Sequence, residues 1–454
     1  MRGKDRGVFM DILMEFAGLA VIICLIGFFN EKVTKFPYEI ALMLYSSIIG
    51  LLLVIALYNI SGYPRIHDLI DKIEGYDMQA FLVEGVLCFM LFAGSCHHKM
   101  KDIKNSIRHI SILAFVCTLL GALFYAALFY AGTKLLGINL SIPICLMLGS
   151  IIAPSDPIAA TGILKKFGLP KKISFLIETE ALFNDGVGVA LFVCFFGMVK
   201  AQASPGHETA RGFLTVMFQE IAGAAVVAII VTAICFFMFK RVKNNILRIV
   251  ISLLNVSLAY GICEQNEFSG ALCVVICGIM FATLRSNRIK DEDEKEAEVF
   301  DSFWETLDGI LNSLLYVMLG FSFTKILGMH VNLWIVLALS VIAIVANLVS
   351  RALGLSISSL FMGKLPDNYD KVNFIKLFTW GGLRGGLSVA LAMSTKDVLL
   401  KLTKASGGSI EYYNIILGCT FAVVFFTTVI QGLTMTPVYN RISASILKKQ
   451  DKAA

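Results

Sequence analysis

Charge is scarce in this chain: Asp, Glu, Lys and Arg together supply 16% of 454 residues, while hydrophobic residues supply 57%. That balance excludes an ordinary soluble globular domain. Segments of about ten residues that alternate polar and apolar are also missing, which excludes a membrane β-barrel. The apolar runs found instead must satisfy their backbone groups internally in lipid, so they are helices. Cysteines at disulfide or metal-binding spacings are missing too. The 11 cysteines are scattered through apolar segments, and even Cys273 and Cys277 share one such run. They read as small buried hydrophobes. A net charge of +6 is modest and follows membrane topology, so it points to no nucleic-acid partner. The first apolar run lacks a small-residue cleavage site and is expected to stay as the first span. No cofactor is expected, and no appended soluble domain.

What is present is a series of runs long enough to cross about 30 Å of hydrocarbon, which takes about 20 helical residues. About thirteen spans are expected, at 9–28, 38–60, 81–96, 109–131, 141–164, 173–199, 213–239, 246–263, 268–284, 302–325, 331–357, 372–395 and 411–437. Spans three and nine are short, and spans five and twelve are interrupted by Pro or Gly clusters. Basic residues gather in alternate loops: 97–108, 165–172, 240–248, 285–295 and the segment 438–454. The positive-inside rule therefore places the C-terminus in the cytoplasm and the N-terminus outside, although Arg2, Lys4 and Arg6 oppose it. The acidic run at 291–296 reads as a solvated connector. The corresponding positions of the two interrupted spans suggest inverted six-helix repeats at 1–199 and 246–437, joined by a linker helix at 213–239 and followed by a short cytoplasmic tail at 438–454.

Span six carries Glu178, Glu180, Asn184 and Asp185 within an otherwise apolar run. Lipid solvates an ionised side chain poorly, so such residues face protein or water and serve a purpose. Asp185 lies about twelve residues, or about 18 Å, into the span, near the bilayer centre. A lone carboxylate there is either protonated or balanced by a cation, and those states are the two halves of an exchange cycle. A packing role is the weaker reading, because Asn would join helices without the charge penalty. Asn184 can orient Asp185 or hydrogen-bond backbone freed in the neighbouring broken helix. Glu180, about 140° around the helix from Asp185, needs its own partner. Glu178 shares the face of Asp185 as either a funnel or an interfacial residue.

Span five contains Ala153-Pro-Ser-Asp-Pro157. The prolines interrupt the helix, and carbonyls freed around Ala153 to Ser155, with the side chains of Ser155 and Asp156, offer hard oxygen ligands to a small cation. Thr161 can add a hydroxyl or bond back to its own helix. Arg351 in span eleven and Arg384 among the glycines of span twelve each demand an acid or a carbonyl. With Glu180 and Asp156 available for permanent pairs, Asp185 is left to titrate, which implies one monovalent cation per proton. His97 and His98 read as an interfacial, solvated pair rather than a pH sensor. Glu84 and Glu305 read as interfacial.

These segments resemble the cation:proton antiporters of the NhaP/NHE type. The resemblance rests on Ala153 to Pro157, on Glu178-Thr-Glu-Ala-Leu-Phe-Asn-Asp-Gly186, on Ser350-Arg-Ala-Leu-Gly354 and on Gly381-Gly-Leu-Arg-Gly-Gly386, in that order. Phe303-Trp-Glu305 and Leu319-Gly320 add to it. It implies an all-α polytopic membrane protein whose discontinuous helices five and twelve cross in a six-helix core, with a dimer domain, a homodimer, elevator-like alternating access and electroneutral exchange. Carried over by position, it makes Asp185 the ion- and proton-binding carboxylate and Asn184 its motif partner. It sets Ser155 and Asp156 in the unwound stretch, with Asp185 and Ser155 as metal ligands. It pairs Glu180 with Arg351 and has Arg384 neutralise the region of Asp156. The chain departs from the pattern at Ala181, where many members have Ser or Thr, at Ser155, where many have Thr, and near Ala93, where some archaeal members have an acid.

The function expected is exchange of cytoplasmic Na+, and of Li+, for an external proton across the plasma (inner) membrane, without enzymatic chemistry. Low pH should inhibit, because protons and cations compete for Asp185. Potassium/proton exchange on the same architecture is the nearest rival, since selectivity rests on cavity size and ligand count. A cation channel would conduct without saturable counter-transport. An intramembrane aspartyl protease using Asp156 and Asp185 is opposed by the two arginines, because its dyad needs two acids sharing one proton.

Overall fold

The computed structural model describes residues 2–59, 85–156, 171–203, 213–288, 294–327, 333–363, 365, 369–406 and 411–451. All regular structure among them is helical. Eight of the described helices are long and apolar enough to cross a bilayer, and Tyr38–Leu53 and Ile142–Ile152 are shorter apolar ones. The chain is an integral, multi-pass membrane protein.

Two compact units divide the chain: Met1–Met78 with Gly309–His330, and Gln79–Asp308 with Val331–Ala454. In the smaller unit α1 (Arg2–Phe29) ends in a π-turn, Asn30–Thr34, before α2 (Tyr38–Asn59). Asn30 closes that turn: its amide donates to the Phe36 carbonyl and accepts from the Phe36 N–H, both at 3.0 Å. Gly320 packs so tightly on α2 that a Cβ there would overlap Ser46 Oγ.

The larger unit holds α3 (Leu87–Ser95), α4 (Met100–Leu135), α5 (Ile142–Ile152), α6 (Lys171–Ala203), α7 (Phe213–Phe239), α8 (Asn245–Gln265), α9 (Gly270–Arg288) and the first part of α10 (Glu294–Leu327). It continues with α11 (Leu333–Phe361), α12 (Lys371–Trp380), α13 (Gly386–Ser394), α14 (Lys396–Ser406) and α15 (Tyr412–Phe425), which passes through a π-turn, Phe426–Gln431, into α16 (Gly432–Asp451). Lipid provides little hydrophobic drive between helices, so close packing of small residues holds them together. Gly149 of α5 admits the Ala122 carbonyl of α4, Gly186 of α6 admits Leu272 of α9, and Gly188 admits the ring of Pro154. An aromatic cluster joins α3, α9 and α10, with Phe92 and Trp304 centroids 4.5 Å apart and Phe281 and Phe300 stacked at 5.7 Å.

Helices run further than hydropathy indicates. Much of the 97–108 loop is the start of α4, because Ile103 and Ile110 are buried while Lys101 and Lys104 are exposed. α10 begins inside the charged 285–298 segment, where Arg285 bonds Asp301 at 2.6 Å. α14 occupies what reads as a loop, and α16 continues through Pro437 to Asp451. Each extension is amphipathic or polar, so a search for wholly apolar runs passes over it.

Candidate functional site

Two helix interruptions meet in the larger unit. The first follows α5: Ala153 N–H makes the last helical bond, to Gly149 at 2.9 Å, and Pro154 has no N–H with which to continue. Ala153 to Asp156 then run without helical structure. The second follows α12: Gly381 N–H bonds Leu377 at 2.8 Å, Leu383 N–H turns back to Gly381 at 3.0 Å, and helix resumes at Gly386.

The two interruptions are bonded to each other. Asp156 N–H donates to the Leu383 carbonyl at 2.8 Å, and the Arg384 guanidinium donates to the Ala153 carbonyl. A Cβ on Gly385 would fall 1.9 Å from Asp156 Oδ2, so the missing side chain makes room for that carboxylate. The arrangement suits the helix dipoles. Arg384 caps the negative C-terminal end of α5, and Asp156 lies at the positive N-terminal end of α13.

α6 passes this crossing and carries three functional side chains, all buried. Glu180 is held by Arg351 of α11 in a two-pronged pair, Nη1 to Oε1 at 2.6 Å and Nη2 to Oε2 at 3.0 Å. One turn further along, Asn184 receives the Ser155 N–H at 3.2 Å and donates to Ser155 Oγ at 2.7 Å. Its amide also lies 3.5 Å from Glu180 Oε1. Asn184 therefore ties the first helix break to the ion pair instead of serving only its neighbour. Asp185 differs from both. Its carboxylate is 6% exposed and makes no hydrogen bond or ion pair with any described residue, while Asp156 and Arg384 are the charges that act on it.

Arg384 does not pair with the Asp156 carboxylate among the described residues. Beyond Ala153 its guanidinium bonds Asn347 Oδ1, from Nε at 3.2 Å and Nη2 at 3.1 Å. Its backbone is clamped from the π-turn after α15: Arg384 N–H donates to Thr427 Oγ1 at 3.1 Å, and Thr428 Oγ1 donates to the Arg384 carbonyl at 3.0 Å. Local π geometry recurs at functional sites because it turns extra groups inward. Asn347, Thr427 and Thr428 escape a reading of the sequence by charge alone. Asn347 sits one turn before Arg351, and the adjacent threonines interrupt an apolar run; those polar positions were the available signals.

Ala153's carbonyl, offered as a cation ligand by the sequence, is already bound by Arg384. Ser155 Oγ, Asp156 and Asp185 stay gathered at the crossing. Pro157, Thr161 and Glu84 lie outside the described residues. Among the described residues, no three His, Cys, Asp or Glu side chains are placed to share a metal ion, and the described cysteines are all free thiols. His98 is not the solvated residue expected: it is half-buried, edge-on to Phe175 at 5.4 Å and 3.9 Å from Glu178. Glu178 also accepts from Ser174 at 3.1 Å.

A family model described as sodium/hydrogen exchanger, transmembrane, matches residues 18–441. The Na(+)/H(+) antiporter NhaP of Pseudomonas aeruginosa is 27% identical over 437 residues, covering 96% of this chain and 97% of that protein. The Na(+)/H(+) antiporter NhaG of Bacillus atrophaeus is 25% identical over 434 residues, covering 96% of this chain and 74% of that protein. The structure of the sodium proton antiporter MjNhaP1 from Methanocaldococcus jannaschii at pH 8 aligns with a TM-score of 0.72, over 95% of this chain and 99% of that one. At 19% identity that likeness speaks for the fold.

Proposed function

Because this chain belongs to the sodium/hydrogen exchanger family, we propose that it exchanges Na+, and also Li+, for protons, with Asp185 as the group that binds each in turn. One observation carries the reading. Of the two buried acids on this stretch of α6, Glu180 is neutralised by Arg351, whereas Asp185 has no bonded partner among the described residues. A buried carboxylate left in that state must hold a proton or a cation. A proton adds one charge and so does an alkali ion, which supports electroneutral 1:1 exchange. The lack of three grouped ligating side chains among the described residues suits a monovalent ion better than a tightly caged divalent one.

Ser155 Oγ and the oxygens of the unwound stretch complete the coordination, with Asn184 and Asp156 holding that stretch in place. Alternating access moves the crossing between the two faces of the membrane. Inverted repeats at 1–199 and 246–437, a linker helix at 213–239, a short cytoplasmic tail at 438–454 and a homodimer complete the proposal, in the plasma (inner) membrane with the N-terminus outside and the C-terminus in the cytoplasm.

Reconstitution tests it. In vesicles with an imposed pH gradient, sodium and lithium should each dissipate the gradient in the native protein, with apparent affinity falling as protons compete. Asp185→Asn, which keeps shape and removes the titrating charge, should abolish the signal. Exchange surviving that substitution refutes the assignment, and a potassium response exceeding the sodium one replaces the proposed ion.

A further inference from the structure

Beside the crossing, and lined by Ala153 and Arg384 but not by Asp185, lies a cavity of about 10 Å³, the room that one buried water requires. Tyr125, Ala153, Asn347, Ser350, Arg351 and Arg384 are among the residues that line it. Cys117, Gly121 and Ile152 share the wall with these polar side chains, inside the helical bundle. Tyr125 is 1% exposed, yet its hydroxyl has no hydrogen-bond partner among the described residues. A buried hydroxyl is normally satisfied, because leaving it bare forfeits its solvation. Its ring is fixed by stacking on Phe129 at 5.8 Å, which limits how the hydroxyl can turn to find a partner.

The neighbouring groups have matching capacity to spare. A guanidinium carries five N–H groups. Arg384 commits Nε and one hydrogen of Nη2 to Asn347, and one hydrogen of Nη1 to Ala153, so each terminal nitrogen keeps a donor. Arg351 commits its two terminal nitrogens to Glu180 and Nε to Phe378. Ser350 Oγ donates to the Asn347 carbonyl at 3.1 Å and keeps its lone pairs. One water can accept from a guanidinium while donating to Tyr125 and Ser350, about the three bonds that a buried water makes.

We propose that a single ordered water occupies this cavity, and that Tyr125 acts through it as a positioning residue for Arg384. Arg384 is the side chain that holds the Ala153 carbonyl, so the water braces the first helix break through it. Tyr125 touches neither the cation nor Asp185. Its effect on transport therefore appears in the affinity for sodium, because the shape of the unwound stretch sets the oxygens around the ion. Turnover, which depends on motion of the whole core, is left nearly unchanged.

The transport readout rests on the exchange reading above, whereas the water does not, so the two can fail separately. In the full-length protein in nanodiscs, a cryo-EM map fine enough to resolve ordered waters should show density within hydrogen-bond distance of Tyr125 Oη and Arg384. Tyr125→Phe should remove that density and raise the sodium KM about five-fold, the size of one lost hydrogen bond, with kcat within about two-fold. Ser350→Ala should act similarly. Together the two should cost little more than either alone, since both remove the same water. An unoccupied cavity in a map that shows other buried waters overturns the proposal. Independent, multiplying effects of the two substitutions overturn it as well, as does a Tyr125→Phe protein with native KM. If the native protein exchanges no ions at all, the function above fails and the map still decides the water.

Discussion

Glu180 and Asp185 lie five residues apart on one buried helix and end in opposite electrostatic states. Glu180 faces α11, where Arg351 meets both of its oxygens. Asp185 faces the helix crossing, where Arg384, the positive group that acts on it, is bonded to a carbonyl and an amide. The same chemical group is therefore a structural fixture at one position and an open charge at the other. The difference comes from which helix each faces, a matter of about 140° of rotation.

Substituting each acid by its amide should separate the two roles most strongly. Glu180→Gln leaves Arg351 buried without its counter-ion, which costs about 3–5 kcal/mol. A large loss of melting temperature and of folded yield in detergent is expected. Asp185→Asn removes a charge that no described group neutralises, so melting should be unchanged or raised while exchange disappears. The comparison breaks if Glu180→Gln melts normally, or if Asp185→Asn is the less stable of the two.

The next effect tests the floor of the crossing. Gly385→Ala places a methyl on Asp156 Oδ2 and should destabilise by about 1–3 kcal/mol through overpacking, with at least a ten-fold loss of exchange. Gly261→Ala, which meets nothing within 4 Å, is the matched control and should be silent. Equal behaviour of the two would show that the crossing tolerates displacement of Asp156.

A smaller change is expected on the far side of Arg384. Thr427→Val and Thr428→Val each remove one hydrogen bond to its backbone, about 1 kcal/mol apiece. Sodium KM should rise by about five-fold in each, without loss of maximal rate. Unaltered sodium affinity in both would mean that the π-turn does not set the position of Arg384.

Much of this geometry was legible in the residues themselves. Buried carboxylates and arginines in apolar runs announce themselves by cost, and Pro154 and the Gly381–Gly386 run mark both breaks because neither supports continuous helix. What the sequence could not give is which bond goes where. Asn184 had two open roles, and the helix break received it; Ala153 looked like a free ligand and is held by Arg384. Asn347, Thr427 and Thr428 carry no charge, so nothing in their cost singled them out. Their importance lies in a meeting of three helices distant in sequence, which periodicity along any one of them does not record.

A third acid, Glu178, extends the comparison toward the start of the same helix. Glu178 lies on the face of Asp185 but is met by Ser174 and by His98 at 3.9 Å. At that distance the carboxylate does not hold a proton on the imidazole by a direct bond. Burial, reinforced by His97 and opposed by Asp102, instead pushes the His98 pKa down to about 4. His98 is thus neutral in the folded protein at neutral pH. Between about pH 6.5 and pH 4 the unfolded chain takes up a proton at this residue that the folded chain refuses, so stability is complete above that window and falls as pH falls through it. The loss amounts to at most about 3 kcal/mol at the acid end. His98→Gln, which cannot titrate, should flatten the dependence: melting in detergent at pH 7.5 and pH 5 should differ less in the variant than in the native protein. A steeper acid loss in the variant would mean that the imidazole is charged in the fold and paired with Glu178, and His98 would then join Glu180's partner Arg351 as a fixed positive group along α6.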